Sequence, residues 1–376
     1  MSARAAFSQL AVAPAALAEA WAATGAALER PPDLVALFCA GEHSAAAHDL
    51  AEALHQLAPD AAVIGACAAD GVIGAGREQQ GGPALSLLAV TLPPGAHVTP
   101  FHTQVGEGDD GPELLGLPSP PEGALVLAIA DPHSTPVELL VDRLSGVPVL
   151  GGFAGLGGHG AARLFTNGGC VEEGAVGVVL DGLPVRPIVS QGARPIGPEM
   201  VVTAAEGNLV LELAGVPALE RVQHVVAELP LTERLLLENG LLIGLVIDEN
   251  RPEHGLGDFL VRGVLGADST SGALAIGDLP RVGQTVRLHV RDAESASREL
   301  DQMLARQHSE EPASAALLFA CNGRGRNLFA QADHDAAAVA RLLGSDAVAG
   351  CFCQGELGPV GGRTFVHGYT ASVALW

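Results

Sequence analysis

Side chains that can bind a small charged molecule are concentrated near the C-terminus, in the segment 351–370. The candidate ligand contacts in this segment are Cys353, Gly355, Glu356, Arg363, His367 and Thr370. An acid and a base in a glycine-rich turn match the two charged ends of a zwitterion, while the histidine and the threonine add hydrogen bonds. The alternative is that Glu356 and Arg363 pair with each other across the turn.

A second group of candidate contacts, Asn322, Gly323 and Arg324, follows an apolar run typical of a strand. The loop that they form matches neither a P-loop nor a dinucleotide-binding fingerprint. Its arginine can clamp a carboxylate through two parallel hydrogen bonds. Because the loop 322–326 and the turn 355–363 both leave strands of the same repeat, we expect them to face one cleft.

Cysteine offers the main rival chemistry. Cys353 or Cys67 lies beside a glycine turn. A nearby His43, His133 or His367 would make either thiol the activated nucleophile of a hydrolase or a transferase. Nothing in the sequence fixes such a geometry, and buried thiols are common. We therefore expect a binding protein rather than an enzyme, and we assign no catalytic residue.

Cys351 and Cys353 lie on one face of a predicted strand, because side chains alternate there. With a histidine they would provide part of a zinc site, but a second cysteine pair at metal-ligand spacing is missing from the sequence. We expect neither a metal nor a cofactor. The six cysteines lie in or beside apolar runs, which indicates buried thiols in a reducing cytoplasm rather than a secreted disulfide scaffold.

The charge balance excludes several classes of partner. The sequence has 20 basic residues, all of them arginine, against 43 acidic residues. A surface this acidic lacks the basic stripe that nucleic acid or an anionic membrane requires. The absence of lysine excludes Schiff-base and P-loop lysine chemistry. Apolar runs such as Leu241–Ile247 are too short to span a bilayer, so we expect a cytoplasmic protein.

Three segments repeat one order of elements: a strand, a loop, a helix and a second strand. They lie at 34–67, 124–153 and 315–352. This spacing is typical of a right-handed crossover between parallel strands. Runs typical of antiparallel strands follow each repeat. We therefore predict an α/β (α+β) fold with mixed sheets built from βαβ-type units, helices packed outside, and two pseudo-related halves.

The repeats also predict local details. The first two repeats should superpose with His43 over His133. The run Thr135-Pro136-Val137-Glu138 is typical of a capping box with proline at the first helical position. Asp333 is a candidate helix cap, and Gly344 is a candidate helix terminator.

Ligands of such units usually bind beyond the carboxyl ends of the strands, where loops and helix N-termini meet. This rule selects one loop and one glycine turn in each repeat. The loops are 40–44, 130–134 and 321–327, and the turns are 65–71, 151–158 and 350–362.

The domain organisation is predicted from a change of pattern after the second repeat. Helical spacing begins after Pro217, and several strand-like runs follow before the third repeat. We place an N-terminal helix at 1–30, a first domain at 31–215 and a second domain at 216–376.

Several runs of the sequence resemble FIST-domain proteins. They are Asp258-Phe259-Leu260-Val261-Arg262, Arg291-Asp292-Ala293, Cys321-Asn322-Gly323-Arg324-Gly325, and the stretches at 355–359 and 367–372. The run 190–197 resembles the linker region of that family, with Ala193 in the place of a cysteine. The resemblance covers nearly the whole chain, with the FIST N-terminal and C-terminal halves in order.

The resemblance implies an intracellular sensory module that binds a small ligand, such as an amino acid, and acts in signal transduction with a separate signalling protein as partner. A protein-interaction scaffold without a ligand is the alternative. An exposed apolar patch would be its signature.

Overall fold

Repeated strand–helix–strand units account for much of the computed structural model, which describes residues 1–108, 111–156, 160–237, 240–255, 257–310 and 313–376. The chain divides into two compact units. One comprises Met1–Val189 and Leu300–Trp376, and the other comprises Ser190–Glu299. The first unit contains all three repeats predicted from the sequence.

The first repeat begins with a strand. Its elements are β1 (Ser2–Ser8), α1 (Ala13–Ala23), β2 (Leu34–Ala40), α2 (Ala47–Leu57), β3 (Ala62–Cys67), β4 (Val72–Gly74), β5 (Arg77–Gln79) and β6 (Ala84–Thr91). The segment 1–30, predicted as helical, is α-helical only in α1. Strand β1 pairs antiparallel with β6 along its length, and its residues alternate in exposure. This pairing outweighs the helix propensity of its alanines.

The second repeat follows the same plan. Its elements are β7 (His97–Gly108), β8 (Gly111–Leu115), β9 (Leu125–Ala130), α3 (Val137–Arg143), β10 (Val149–Phe153), β11 (Leu164–Thr166), β12 (Gly169–Val171), β13 (Ala175–Asp181) and β14 (Arg186–Ser190). The predicted capping box does not form: α3 starts after Pro136 without a side-chain cap. Asp131 Oδ2 instead accepts hydrogen bonds from the backbone N–H and the hydroxyl of Ser134, at 2.9 and 2.6 Å. This earlier turn replaces the box because an aspartate competes well for local N–H groups.

The second compact unit is built around one antiparallel sheet. Its elements are β15 (Ala193–Glu206), β16 (Leu209–Leu213), β17 (Val216–Pro217), α4 (Ala218–Glu228), α5 (Leu231–Leu236), β18 (Leu241–Val246), β19 (Phe259–Ala267), β20 (Leu274–Ile276) and β21 (Thr285–Arg291). The strands are ordered β15-β21-β18-β19-β20-β16-β17. Buried Gln191 accepts a hydrogen bond from Val261 N and donates one to Phe259 O, which fixes the start of this unit to its central strands.

The third repeat returns the chain to the first compact unit. Its elements are α6 (Ala293–Glu310), β22 (Ala316–Cys321), α7 (His334–Leu343), β23 (Val348–Cys353), β24 (Glu356–Val360), β25 (Arg363–His367) and β26 (Ala371–Leu375). Helix α7 ends at Gly344, which adopts the left-handed conformation and donates its N–H to the last turn, as predicted. Asp333 occupies the N-cap position, but its carboxylate accepts a hydrogen bond from Glu78 N rather than from the helix.

The three repeats exchange their hairpins in a cycle. Each repeat continues from its second parallel strand into a short hairpin, and this hairpin pairs with the second parallel strand of another repeat. Hairpin β4–β5 joins β23, hairpin β11–β12 joins β3, and hairpin β24–β25 joins β10. The resulting sheets are β1-β6-β2-β3-β11-β12, β25-β24-β10-β9-β13-β7-β8 and β14-β26-β22-β23-β4-β5. The predicted α+β class with mixed sheets is confirmed, and the repeats form a pseudo-threefold arrangement.

A glycine in the second parallel strand of each repeat defines the equivalent positions. Gly65, Gly151 and Gly350 lie opposite Leu37, Ala128 and Leu318. A Cβ atom on these glycines would lie 1.7, 1.7 and 1.8 Å from the carbonyl oxygen of the opposite residue, so no other residue fits. This register aligns His43 with Ser134. The predicted superposition of His43 on His133 is therefore wrong by one residue, in keeping with a buried His43 and an exposed His133.

One hydrophobic core joins the three repeats. It takes apolar side chains from each pair of parallel strands, including Phe38, Ile129 and Phe319. The rings of Phe38 and Phe319 meet edge to face with their centroids 6.1 Å apart. In the described part of the chain, no helix has the length and the apolar character needed to cross a membrane.

Candidate ligand-binding site

The loops that follow the second parallel strands meet through three equivalent backbone hydrogen bonds. Phe352 N donates to Gly71 O, Cys67 N donates to Arg163 O, and Phe153 N donates to Gly355 O. The exchange of hairpins thus brings glycine turns from different repeats together. The rule that ligands bind beyond the carboxyl ends of strands selected these turns from the sequence. Their hydrogen bonds depend on the exchange, which the sequence does not reveal.

Glu356 is the unusual residue at this junction. It lies opposite Gly152 in the ladder between β24 and β10. The equivalent positions of the other two hairpins are Val72, opposite Cys351, and Leu164, opposite Ala66. The β ladder therefore accepts an apolar residue at this position twice, and in the third repeat it contains a fully buried carboxyl group.

The carboxyl group of Glu356 is only partly satisfied. Its Oε2 accepts a hydrogen bond from Thr370 N at 3.2 Å. Its Oε1 has no hydrogen-bond partner at normal geometry among the described groups, although the Cys321 thiol is close enough to favour the ionised form. Burial raises the pKa of Glu356 well above its ordinary value, and the Thr370 N–H and the Arg324 charge offset only part of this effect. Burial therefore favours the protonated, uncharged form of this carboxyl group.

Three cysteines surround this carboxyl group. Cys321 lies opposite Cys353 in the parallel ladder, and the Sγ atoms of Cys351 and Cys353 are 3.7 Å apart. Burial raises the pKa of Cys321 to about 12. The Cys351 thiol, together with burial, raises the pKa of Cys353 well above its ordinary range. Thiols in this state are poor nucleophiles.

The three histidines considered as partners of a thiol belong to three different segments, and His367 is hydrogen-bonded within its own hairpin. His367 Nε2 is 2.9 Å from Gly358 O, within the hairpin β24–β25. His43 and His133 belong to the loops after β2 and β9. Among the residues that the structure describes, no group of three or more His, Cys, Asp or Glu side chains is arranged to hold a metal ion.

Arg324, predicted as a ligand contact, forms an ion pair within the protein. It is fully buried, and its guanidinium binds both oxygens of Asp335 at the start of α7. Its guanidinium carbon also lies 5.3 Å from the centroid of the Phe329 ring. The sequence did not reveal this pairing, because a helix N-terminus that carries an aspartate is usually exposed.

Arg363 lies at the opposite end of its hairpin from Glu356. Arg363 pairs with Val360, whereas Glu356 pairs with His367. Four residues of strand separate the two ends, which is about 13 Å. The exposed guanidinium of Arg363 lies over the Phe365 ring instead, with 5.6 Å between its carbon and the ring centroid. The structure therefore separates the two charges that the sequence suggested as a zwitterion clamp.

The loop after β22 lies next to the Glu356 junction. Asn322 N donates to Cys353 O at 2.8 Å, and Gly323 N lies 3.5 Å from Cys321 Sγ. Asn322 Nδ2 donates to the carboxylate of Asp70, in the turn between β3 and β4. Asp70 was not singled out from the sequence. Its place in a selected glycine turn was the available signal.

The segment 368–370 closes the other side of the junction. Thr370 N contacts Glu356, Thr370 O accepts a hydrogen bond from Cys321 N, and Thr370 Oγ1 donates to Gly368 O. Tyr369, the single tyrosine of the chain, has a φ of 64°. A left-handed conformation is uncommon for an aromatic residue and is often found at functional sites.

Two surface cavities lie away from this junction. One, of about 550 Å³, is lined by residues of the first repeat such as Arg30 and Thr91. The other, of about 470 Å³, lies in the second compact unit and is lined by residues such as Arg221 and His224. Neither contains Glu356.

Comparison with known proteins identifies the family. The family model of the FIST N domain matches residues 33–216, and that of the FIST C domain matches residues 218–359. The chain therefore belongs to the FIST family. FIST domains are generally described as sensory, ligand-binding domains of signal transduction rather than as enzymes.

Mycobacterial proteins cover almost the whole chain. An uncharacterized protein of Mycobacterium tuberculosis, Rv0628c, is 40% identical over 353 residues, which are 92% of this chain and 91% of that protein. An uncharacterized protein of Mycobacterium bovis, Mb0898c, is 38% identical over 353 residues, which are 92% and 90% of the two chains.

Proposed function

We propose that the protein is a cytoplasmic sensor that binds a small ligand bearing an amino group, such as an amino acid, at the junction around Glu356. The observation that carries this proposal is a fully buried glutamate with one oxygen lacking a normal hydrogen bond, at a position where the other repeats have Val72 and Leu164. A buried polar group without its hydrogen bond costs about 1–3 kcal/mol. The other two repeats fold with an apolar residue at this position, so the fold does not require this loss of stability. The buried glutamate therefore points to a function.

The proposed contacts come from the segments that meet at the junction. Glu356 receives the amino group of the ligand. Thr370 positions the carboxyl group of Glu356, and Asn322 positions the adjoining loop. The small residues of the site allow the ligand to approach the backbone closely; they are Gly323, Cys353 and Gly355. His367 holds the hairpin in register through Gly358. Arg324 supports the site from behind through its pair with Asp335. Arg363 is not part of this proposal.

Ligand entry requires a movement of the loops, because Glu356 is fully buried. The exposed turn at Gln354 and the half-buried loop at 368–369 are the elements that can open. Both are directly continuous with hairpin β24–β25, which belongs to the sheet of another repeat. A ligand that binds one conformation of this hairpin better than another raises the population of that conformation. A separate signalling protein can then recognise the change.

The cytoplasmic location is part of the same proposal. The chain has a formal net charge of -23, no lysine and six free cysteines, five of them buried. Free thiols are typical of a reducing compartment.

The direct test is a thermal-shift screen of amino acids, amines and other small metabolites on the wild type and on Glu356→Leu. A ligand that binds only the folded state raises the melting temperature. We expect at least one amino compound to stabilise the wild type but not Glu356→Leu. Arg363→Ala is the matched control from the same hairpin and should respond like the wild type. A ligand that stabilises Glu356→Leu equally would place the site elsewhere, and no response to any compound would favour an interaction scaffold.

A further inference from the structure

We infer that the site recognises an organic ammonium group and makes no use of a ligand carboxylate. This inference rests on the proposed function and narrows its ligand from amino acids in general to compounds in which an amine is sufficient for binding.

The arginine near the junction is already neutralised within the protein. Arg324 binds Asp335 through two hydrogen bonds of 2.6 and 2.9 Å, and neither side chain is exposed. To bind a ligand carboxylate, Arg324 would have to leave Asp335 as a buried, unpaired charge. The other arginine that the sequence suggested, Arg363, lies at the far end of the hairpin.

Backbone N–H donors around the junction are also used within the protein. The N–H groups of Asn322, Arg324, Gln354 and Thr370 donate to Cys353 O, Cys321 O, Phe153 O and Glu356 Oε2. A carboxylate is usually bound by an arginine or by several convergent N–H groups. These four groups cannot contribute unless existing hydrogen bonds break.

The remaining groups at the junction accept hydrogen bonds or attract cations. Glu356 Oε1 is a buried acceptor without a normal partner. The Asp70 carboxylate lies on the adjoining turn, where it is bound by the neutral amide of Asn322. Tyr369, half-buried and in a left-handed conformation, precedes Thr370 in the segment that closes the junction, and an aromatic ring stabilises an ammonium group that reaches its face. Together these groups favour a cation over a zwitterion.

The test compares three related compounds that differ only in their charged groups. Leucine carries both groups, 3-methylbutylamine lacks the carboxylate, and 4-methylpentanoate lacks the amine. Phenylalanine, phenethylamine and 3-phenylpropanoate form a second set. Dissociation constants for the full chain are measured by calorimetry, with Arg363→Ala as the control variant.

One of the two sets should have an apolar side chain that fits the site. Within that set, we expect the dissociation constant of the amine to lie within roughly 3-fold of that of the amino acid, and we expect the carboxylate not to bind. Glu356→Gln, which keeps the shape of the side chain, should weaken amine binding by at least about 10-fold, as expected for the loss of a charge-assisted hydrogen bond. If the amino acid binds but its amine is at least about 10-fold weaker, this inference is wrong while the proposed function stands. If neither set binds to the wild type, both are wrong.

Discussion

Arg324 and Asp335 form an ion pair in which both side chains are fully buried, with Nε 2.6 Å from Oδ2 and Nη2 2.9 Å from Oδ1. The pair joins the loop after β22 to the N-terminus of α7. Burial alone would raise the pKa of Asp335, but the charge and hydrogen bonds of Arg324, together with those of His334, outweigh burial and bring the pKa to about 2. The residue that the sequence suggested as a ligand clamp is therefore a structural support for the loop.

Breaking this pair from one side should destabilise the first compact unit strongly. Arg324→Ala leaves a buried carboxylate without its counter-charge, a situation that typically costs 3–5 kcal/mol, so we expect a loss of about that size. Urea denaturation at pH 7 measures it. The matched control is Arg341→Ala, which removes an exposed pair with Asp301 and should change stability by less than about 1 kcal/mol. Equal effects of the two variants would contradict the structural role of Arg324.

Glu78 should make stability depend on pH. Its carboxylate accepts hydrogen bonds from Asp335 N and Ala336 N, but burial and the nearby charge of Asp335 raise its pKa to about 7. The folded state then holds a proton that the unfolded state has lost, so stability falls as the pH rises from about 4.5 to about 7. The shift corresponds to a loss of about 3 kcal/mol.

Glu78→Gln tests this linkage, because glutamine keeps both acceptor hydrogen bonds and does not ionise. We expect the variant to resemble the wild type at pH 5 and to be more stable at pH 8, as measured by chemical denaturation at both values. Glu52→Gln on the exposed face of α2 should leave the pH dependence unchanged. A Glu78→Gln variant that follows the wild-type pH profile would contradict the raised pKa.

The equivalent glycines should be intolerant of substitution. A Cβ atom on Gly350 would lie 1.8 Å from Leu318 O in the adjacent parallel strand. Since the clash is with backbone, the strands must separate, and we expect Gly350→Ala to destabilise the protein by more than about 3 kcal/mol. Gly168→Ala is the control, because its Cβ atom would meet nothing within 4 Å. Thermal unfolding measures the loss of stability in both variants, and equal losses would contradict the prediction.

The pseudo-threefold arrangement predicts that Glu356 can be replaced by the residue types of its counterparts. Glu356→Leu removes a buried carboxyl group and restores the apolar character of Val72 and Leu164. We expect the melting temperature to be unchanged or a few degrees higher, because a buried polar group that lacks its partner costs about 1–3 kcal/mol. The reverse change, Leu164→Glu, should lower it. A large loss of stability in Glu356→Leu would mean that the glutamate is structural.

Local patterns in the sequence predicted the elements but not the exchange between them. The apolar runs that became β2, β9 and β22 identified the three repeats, because buried parallel strands are apolar on both faces. The pairing of β4 with β23 joins residues more than 270 positions apart, for example Ile73 and Gly350. Nothing in either segment specifies the other, so this contact was not predicted.

The candidate site was predicted in part for the same reason. Asn322 and Cys353 lie together because both follow strands of one repeat, and this proximity follows from the parallel ladder. Arg324 forms its ion pair within the protein because Asp335, eleven residues later, is buried beside it. Burial of a helix N-terminus results from packing, which a one-dimensional pattern does not contain.

The final prediction concerns the proton on Glu356. In the free protein burial raises the pKa of this carboxyl group well above its ordinary value, which favours the protonated form. An ammonium group placed beside it favours the ionised form, so the glutamate should lose its proton when an amine cation binds. The other charged or titratable groups near it are Arg324, Cys321, Cys351 and Cys353.

Calorimetry of amine binding at pH 7 in two buffers of different ionisation enthalpy counts the protons released. We expect close to one proton per amine bound by the wild type. Because glutamine carries no ionisable proton, binding to Glu356→Gln should release none, although it is weaker. An amine that instead lost its own proton on entering the site would still release one proton in Glu356→Gln. Equal proton release by both proteins would therefore show that the amine binds uncharged, and the assignment of Glu356 as its counter-ion would be wrong.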